Sequence, residues 1–193
     1  MIIVVLAAIA VLVLYIIGFY NRLKTYQVRI RASIQEIGNQ LKRQAGLIPN
    51  LVDSVKGYMK HEKGIFDNLT DARKMISQAV DTNDTKKLDQ SQELIGKALG
   101  ALRVVVESNP EIKASNIISN LMNELRDTAD KIMYARRTLI DLTADYNTAI
   151  NTIPGVWFAS AFGFREEKGL ETALEGQHLE VTQQETKNPD VNI

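Results

Sequence analysis

Apolar residues along 21–152 recur every three or four positions, which is the spacing of one face of an α-helix. Four such stretches follow one another, approximately 21–46, 49–81, 85–108 and 111–152, and polar side chains occupy the opposite faces. None of the stretches shows the two-residue alternation of a half-buried strand. The pattern therefore predicts an all-α fold in which four long helices form an antiparallel bundle.

The first twenty residues carry no charge and are almost wholly apolar. Twenty helical residues rise about 30 Å, the thickness of the hydrocarbon core of a bilayer. A cleaved signal peptide would have basic residues before this core and a small-x-small site after it, and the chain has neither. We therefore predict a retained transmembrane helix over 1–20. The predicted anchoring residues are Ile2, Ile3, Val4, Leu6, Val11, Leu14, Tyr15, Phe19 and Tyr20.

A positive flank follows this span and consists of Arg22, Lys24, Arg29 and Arg31, whereas no Lys or Arg precedes it. Because basic residues are retained on the cytoplasmic side of a membrane, the flank predicts a single pass with the N-terminus outside. Residues 21–193 would then be cytoplasmic.

Pro49 leaves two alternatives for the first half of the bundle. It either kinks one helix of about 60 residues or begins a new helix after a tight turn at Gly46. The uninterrupted helix would be about 90 Å long, more than twice the length of the stretch 85–108. The length comparison favours a hairpin at 46–49.

An aromatic segment over 154–164 follows the fourth predicted helix. An up-down-up-down bundle returns this end of the chain to the membrane, where aromatic rings favour the headgroup level. The residues predicted to contact a membrane or a partner are Trp157, Phe158, Phe162 and Phe164. The alternative is a loop that folds back and covers the end of the bundle.

The last segment, 165–193, has seven acidic and three basic residues, whereas residues 21–60 have two acidic and eight basic residues. Such a polar acidic tail is predicted to be disordered. A contact between these two oppositely charged parts of the chain is the alternative.

The chain offers little catalytic chemistry. It has no Cys, and His61-Glu62 lacks the second histidine of a zinc-binding HExxH motif because position 65 is Ile65. The 23 basic and 23 acidic residues balance, and the helices have no basic face interleaved with aromatic residues, so nucleic acid is not an expected partner. We predict no catalytic, cofactor-binding or metal-binding residues, and a protein that is not an enzyme.

Several strings resemble the LemA family of bacterial membrane proteins, over about residues 1–170. They are LIPNLV at 47–52, VKGY at 55–58, Ala72-Arg73, NPEIKA at 109–114, ARR at 135–137, Tyr146-Asn147 and FGF at 162–164. The chain departs from the family pattern at Ile34, where a Trp is usual, and at Gly46, where an acidic residue is typical. A glycine at 46 would ease the predicted turn.

The resemblance implies a short N-terminal anchor and a four-helix soluble domain at the bacterial inner membrane. The family has no established enzymatic activity, and its members are often encoded near a membrane-bound zinc metalloprotease. We therefore expect a non-enzymatic scaffold that associates with the membrane and with further copies of itself. An adaptor or regulator of a membrane protease and a membrane-remodelling protein are the alternatives.

Overall fold

The computed structural model describes residues 1–59 and 63–170, which form helices joined by short connections. The helices are α1 (Ile2–Val55), α2 (Lys63–Thr82), α3 (Thr85–Ser108), α4 (Pro110–Lys113), α5 (Asn116–Asn151) and α6 (Gly155–Ala159), with one 3₁₀ turn at Lys56–Tyr58. No strand occurs within the described ranges. The predicted all-α fold is confirmed.

The long helices form an antiparallel bundle around the second half of α1. Gln27 of α1 hydrogen-bonds to Tyr146 near the end of α5, and Arg43 forms an ion pair with Glu124 near its beginning, so these two helices run in opposite directions. Helices α2 and α3 form a hairpin that packs on α1. The buried side chains form one continuous core, which includes Leu41, Ile48, Ile76, Leu88, Leu102, Leu139 and Tyr146.

The predicted hairpin at 46–49 is wrong, because α1 continues through Gly46 and Pro49 to Val55. Proline has no N–H to donate, so the carbonyl of Ala45, four residues earlier, has no donor within the helix. Arg73 of α2 replaces that donor, with its Nη2 3.0 Å from the Ala45 oxygen. A contact from another helix therefore satisfies the carbonyl that the proline leaves unpaired.

The hairpin is not needed, because α3 is not the only helix that covers α1. The half of α1 beyond the apolar span packs along α5, which has 36 residues and is about 54 Å long. The first twenty residues of α1 project beyond the bundle with their side chains exposed or only partly covered. A long helix is thus accommodated without a turn.

Short connections fix the remaining corners. Asp84 is the N-cap residue of α3, and its Oδ1 accepts a hydrogen bond from the Lys87 amide at 3.2 Å. Between α3 and α4, the side chain of Asn109 donates to the Val105 carbonyl at 2.7 Å, and Pro110 occupies the first position of α4. The chain therefore reverses direction within a few residues at each corner.

Candidate membrane-proximal site

The end of α5 turns back onto α1 at the point where the apolar span leaves the bundle. Gly155, the first residue of α6, is buried there, and a Cβ at this position would collide with the Ala149 carbonyl and lie 2.9 Å from Cζ of Phe19. The glycine allows α6 to pack closely against both long helices. Its position places α6 beside the last turns of the apolar span.

Two phenylalanines after α6 pack against Tyr20 of α1. The ring centroids of Phe162 and Phe164 lie 5.5 Å and 5.4 Å from that of Tyr20, in the edge-to-face arrangement that aromatic pairs favour. Lys24 lies over the Phe164 ring, with its Nζ 4.9 Å from the centroid. Phe164 is buried, so it belongs to the part of the segment that folds back and covers the bundle end.

An apolar surface remains exposed beside these contacts, and we name Ile153, Val156, Trp157 and Phe162 the apolar collar. Their exposed fractions are 70%, 47%, 65% and 46%. Ile153 shares a cleft of about 320 Å³ with Tyr15 and Phe19, and the Phe162 ring packs on Tyr20, so these two collar residues adjoin the end of the apolar span. Phe158 is only partly exposed.

Sequence reasoning named Trp157 and Phe162 but missed Ile153 and Val156, which are among the exposed large apolar residues. Their position beside Pro154, at the predicted return to the membrane, was a usable signal. The predicted contact residues are all aromatic, so these two aliphatic side chains are not among them.

The positive flank lies on α1, immediately after the residues of this helix that adjoin the collar. Arg22 donates a hydrogen bond to the Tyr26 hydroxyl at 3.2 Å. This bond and the electrostatic effect of Tyr26, with a smaller one from Asp145, raise the pKa of the Arg22 guanidinium. Arg29 and Arg31 lie about two turns further along and are exposed. Throughout 1–59 and 63–170, no ion pair includes either of them, so both remain available to anions.

A hydrogen-bond network under the collar holds segment 165–170 on the bundle. The buried Tyr146 hydroxyl donates to the Arg165 carbonyl at 2.9 Å and accepts from Gln27 Nε2 at 3.2 Å. Asn147 exchanges two 3.0 Å hydrogen bonds with the backbone of Glu167. Desolvation, reinforced by the charge of Glu167, raises the pKa of Tyr146. The network fixes the segment that follows the collar.

The apolar span itself is exposed along its length. Its most apolar 18-residue window has a mean hydropathy of 3.2, and none of it is buried in the protein. The predicted anchoring residues are exposed except Phe19 and Tyr20, which are partly covered by α6 and the phenylalanines. Among the described helices, α1 alone is long and apolar enough to cross a membrane.

No catalytic arrangement emerges from the part of the chain that the structure describes. Within it, no three His, Asp or Glu side chains come together as potential metal ligands. His61, the first residue of the incomplete HExxH motif, lies outside the described residues, as does most of the acidic tail. The absence of an enzymatic function therefore stays a prediction.

The geometry defines a helical bundle carried on one long, membrane-compatible helix. The family model of the LemA family matches residues 33–192, so the chain belongs to the LemA family. This confirms the resemblance, and the match extends beyond residue 170 into the acidic tail. The apolar span and family membership together indicate association with a membrane.

A more distant similarity links the chain to the magnetosome protein MamQ of Magnetospirillum gryphiswaldense. The two are 33% identical over 70 residues. The aligned part is 36% of this chain and 26% of MamQ, so the chain matches about a quarter of that protein's length.

Proposed function

We propose that this protein is a non-enzymatic, membrane-anchored scaffold whose bundle rests on the bilayer through the apolar collar. The observation that carries the proposal is that Ile153 and Phe162 adjoin the end of the exposed apolar span of α1, while Trp157, between them in the sequence, is exposed. Burying a large apolar side chain contributes about 1.5–3 kcal/mol when it is complete. Partial insertion of three such side chains adds several kcal/mol and holds the bundle in one orientation.

The positive flank supports an arrangement with the N-terminus outside and the bundle on the cytoplasmic side of the bacterial inner membrane. Arg22 and Lys24 lie on α1 next to the collar, where they meet the anionic lipid headgroups of that leaflet, and Arg29 and Arg31 extend the positive charge about two turns further. Each basic residue near such a surface contributes about 1 kcal/mol. Collar and flank therefore act together at one interface.

Self-association is the second part of the proposal. Exposed apolar residues away from the collar support it, among them Tyr134 on α5 and Val104 on α3, which are 68% and 64% exposed. In mild detergent, mass photometry is expected to show particles larger than one chain. A single population at the monomer mass would contradict this part.

The collar is tested with the protein's single tryptophan, Trp157, as a probe of its surroundings. The full chain is reconstituted into liposomes that contain lipids brominated near the headgroup, which quench tryptophan fluorescence on contact. The matched control carries Trp157→Phe and Tyr134→Trp, which places the only tryptophan on α5, about 26 Å from the end of that helix nearest the collar.

We expect strong quenching of Trp157 and weak quenching of the control. Equal quenching of both proteins would refute contact between the collar and the bilayer. Mass photometry tests self-association separately, so the two parts of the proposal fail independently.

An adaptor role at a membrane protease and a membrane-remodelling role remain alternative proposals. The collar gives the remodelling alternative a structural basis, because shallow apolar insertion beside cationic residues can bend a membrane. It predicts that the full chain changes liposome diameter and that Trp157→Ser abolishes the change. The adaptor alternative predicts co-purification of one protease in stoichiometric amount.

A further inference from the structure

A groove separates α3 from α5 on the side of the bundle away from α2. Both helices pack on α1, but their facing sides leave two adjoining cavities of about 400 and 650 Å³. Both cavities include Gln44 of α1 and Ala129 of α5 in their lining. Leu99 of α3 and Met133 of α5 contribute apolar walls. The groove therefore runs lengthwise between the two helices.

Gln44 is an unusual residue for this position. The residue is only 5% exposed, and its side-chain amide makes no hydrogen bond within the described residues but is open to the two cavities that it lines. The amide has two N–H donors and a carbonyl acceptor, which complement the carbonyl and N–H groups of a peptide backbone. Gln44 therefore offers a hydrogen-bonding site to a polypeptide segment in the groove.

The described part of the chain ends beside this groove, against Thr143, which lies one helical turn beyond the lining residue Ile140. Segment 166–170 runs back along α5, from Asn151, which bonds Glu166, to Thr143, which lies beneath Gly169. Thr85, the first residue of α3, donates to the Gly169 carbonyl at 3.2 Å. At residue 169 the chain thus lies between the start of α3 and the facing side of α5, and Leu170 is buried there.

The groove and the following segment also have complementary charges. Arg126, Arg137 and Lys113 border the groove, and none of their side chains forms an ion pair or hydrogen bond within the described part of the chain. The other two bordering cations, Arg103 and Arg136, are already paired with Glu107 and Asp89. Segment 171–193 contains five acidic residues and one lysine, together with the apolar residues Leu174, Leu179 and Val181.

We propose that segment 171–193 of the same chain binds in the groove between α3 and α5. Its acidic residues pair with the free cations, its apolar residues contact Leu99 and Met133, and its backbone pairs with Gln44. The lengths agree for an extended segment. Ile140 lies at the end of the groove nearest Leu170, and Asn123 is about 25 Å further along α5. An extended chain reaches about 23 Å from Leu170 to Gln177, seven residues later.

The absence of native cysteines allows a direct test by disulfide formation. Three double variants of the full chain are oxidised: Gln177→Cys with Asn123→Cys, with Met133→Cys, or with Lys74→Cys on α2, which does not line the groove. Excess cysteine-free chain is added so that bonds within one chain predominate. We expect the disulfide yield of at least one groove variant to exceed that of the Lys74 control about tenfold, whichever conformation the segment adopts.

Equal yields at all three positions would overturn the proposal. Yields at the groove positions that fall when the cysteine-free chain is added would also overturn it, because the segment would then bind a neighbouring copy. Full-length mass and far-UV circular dichroism of each variant show that it has folded before yields are compared.

The charge complementarity is tested in the double-cysteine variant that gives the highest disulfide yield. Arg126→Glu with Arg137→Glu is expected to lower the yield about tenfold, the effect of reversing two exposed ion pairs. The matched control, Lys63→Glu with Lys74→Glu, makes the same charge change on α2 and is expected to leave the yield unchanged. An equal decrease in both variants would overturn specific recognition by the groove.

Discussion

The hydrogen bond from Arg73 to the Ala45 carbonyl explains how α1 accommodates Pro49, and it predicts a specific energetic coupling. Ala45 is fully buried, so without Arg73 its carbonyl would have no donor. Leaving a buried acceptor unpaired costs about 1–3 kcal/mol. Arg73→Met keeps much of the aliphatic side chain and is therefore expected to lower the free energy of unfolding by about 2 kcal/mol.

Pro49→Ala supplies the test of this explanation. It restores a backbone N–H at position 49 that can donate to Ala45, and it removes a proline whose cost inside a helix is about 3 kcal/mol before compensation. We expect Pro49→Ala alone to stabilise the protein. In that background Arg73→Met should cost less than about 0.5 kcal/mol, as is usual for an exposed substitution.

The coupling is measured by a double-mutant cycle on the full chain in detergent, with urea unfolding followed by far-UV circular dichroism. Lys74→Met, the adjacent exposed residue on α2, is the matched control and should be nearly neutral in both backgrounds. If Arg73→Met costs the same with proline and with alanine at position 49, the proposed compensation is refuted.

Three further predictions follow from individual residues, each measured as a change in the free energy of unfolding. Gly155→Ala should destabilise the protein by more than about 1 kcal/mol, because a Cβ collides with the Ala149 carbonyl; a neutral effect would contradict the close packing of α6. Gly46→Ala should stabilise it by about 0.5–1 kcal/mol, because the position is open and helical; destabilisation would instead support a turn there. In the folded state the pKa of Tyr146 is raised above its ordinary value of 10.0. The protonated Tyr146 hydroxyl therefore contributes fully to the free energy of unfolding below pH 10, and this contribution is lost as the pH rises through the folded-state pKa. Tyr146→Phe should therefore reduce the loss of stability above pH 10, and an unchanged pH profile would contradict this assignment.

Much of the fold follows from the spacing of apolar residues, because each long helix buries one continuous stripe. The stripe Leu23, Ile30, Ile37 and Leu41 lies in the core as the periodicity predicts. The path at Pro49 could not be derived in this way. Whether a proline is tolerated inside a helix depends on a hydrogen-bond donor for the carbonyl that the proline leaves unpaired. Here that donor is Arg73, which is 24 positions from Pro49 in the sequence.

The candidate site was predictable in its location but not in its detail. The antiparallel order of four helices correctly returns the aromatic segment to α1, where Phe162 and Phe164 meet Tyr20. Which side chains remain exposed depends on how α6 packs, and this packing buries Phe164 and exposes Ile153. The groove between α3 and α5 is a gap between elements, and local periodicity contains no information about such gaps.

The most direct test of the scaffold proposal is photo-crosslinking from position 157 in native membranes. A photoreactive phenylalanine derivative replaces Trp157 in the full chain, and mass spectrometry identifies what is attached after irradiation. The same substitution at Tyr134 reports contacts of the bundle away from the collar. We expect lipid adducts from position 157 and protein crosslinks, from either position, mainly to further copies of this chain. A dominant crosslink from position 157 to one membrane enzyme, without lipid adducts, would refute the scaffold proposal and assign the collar to that partner.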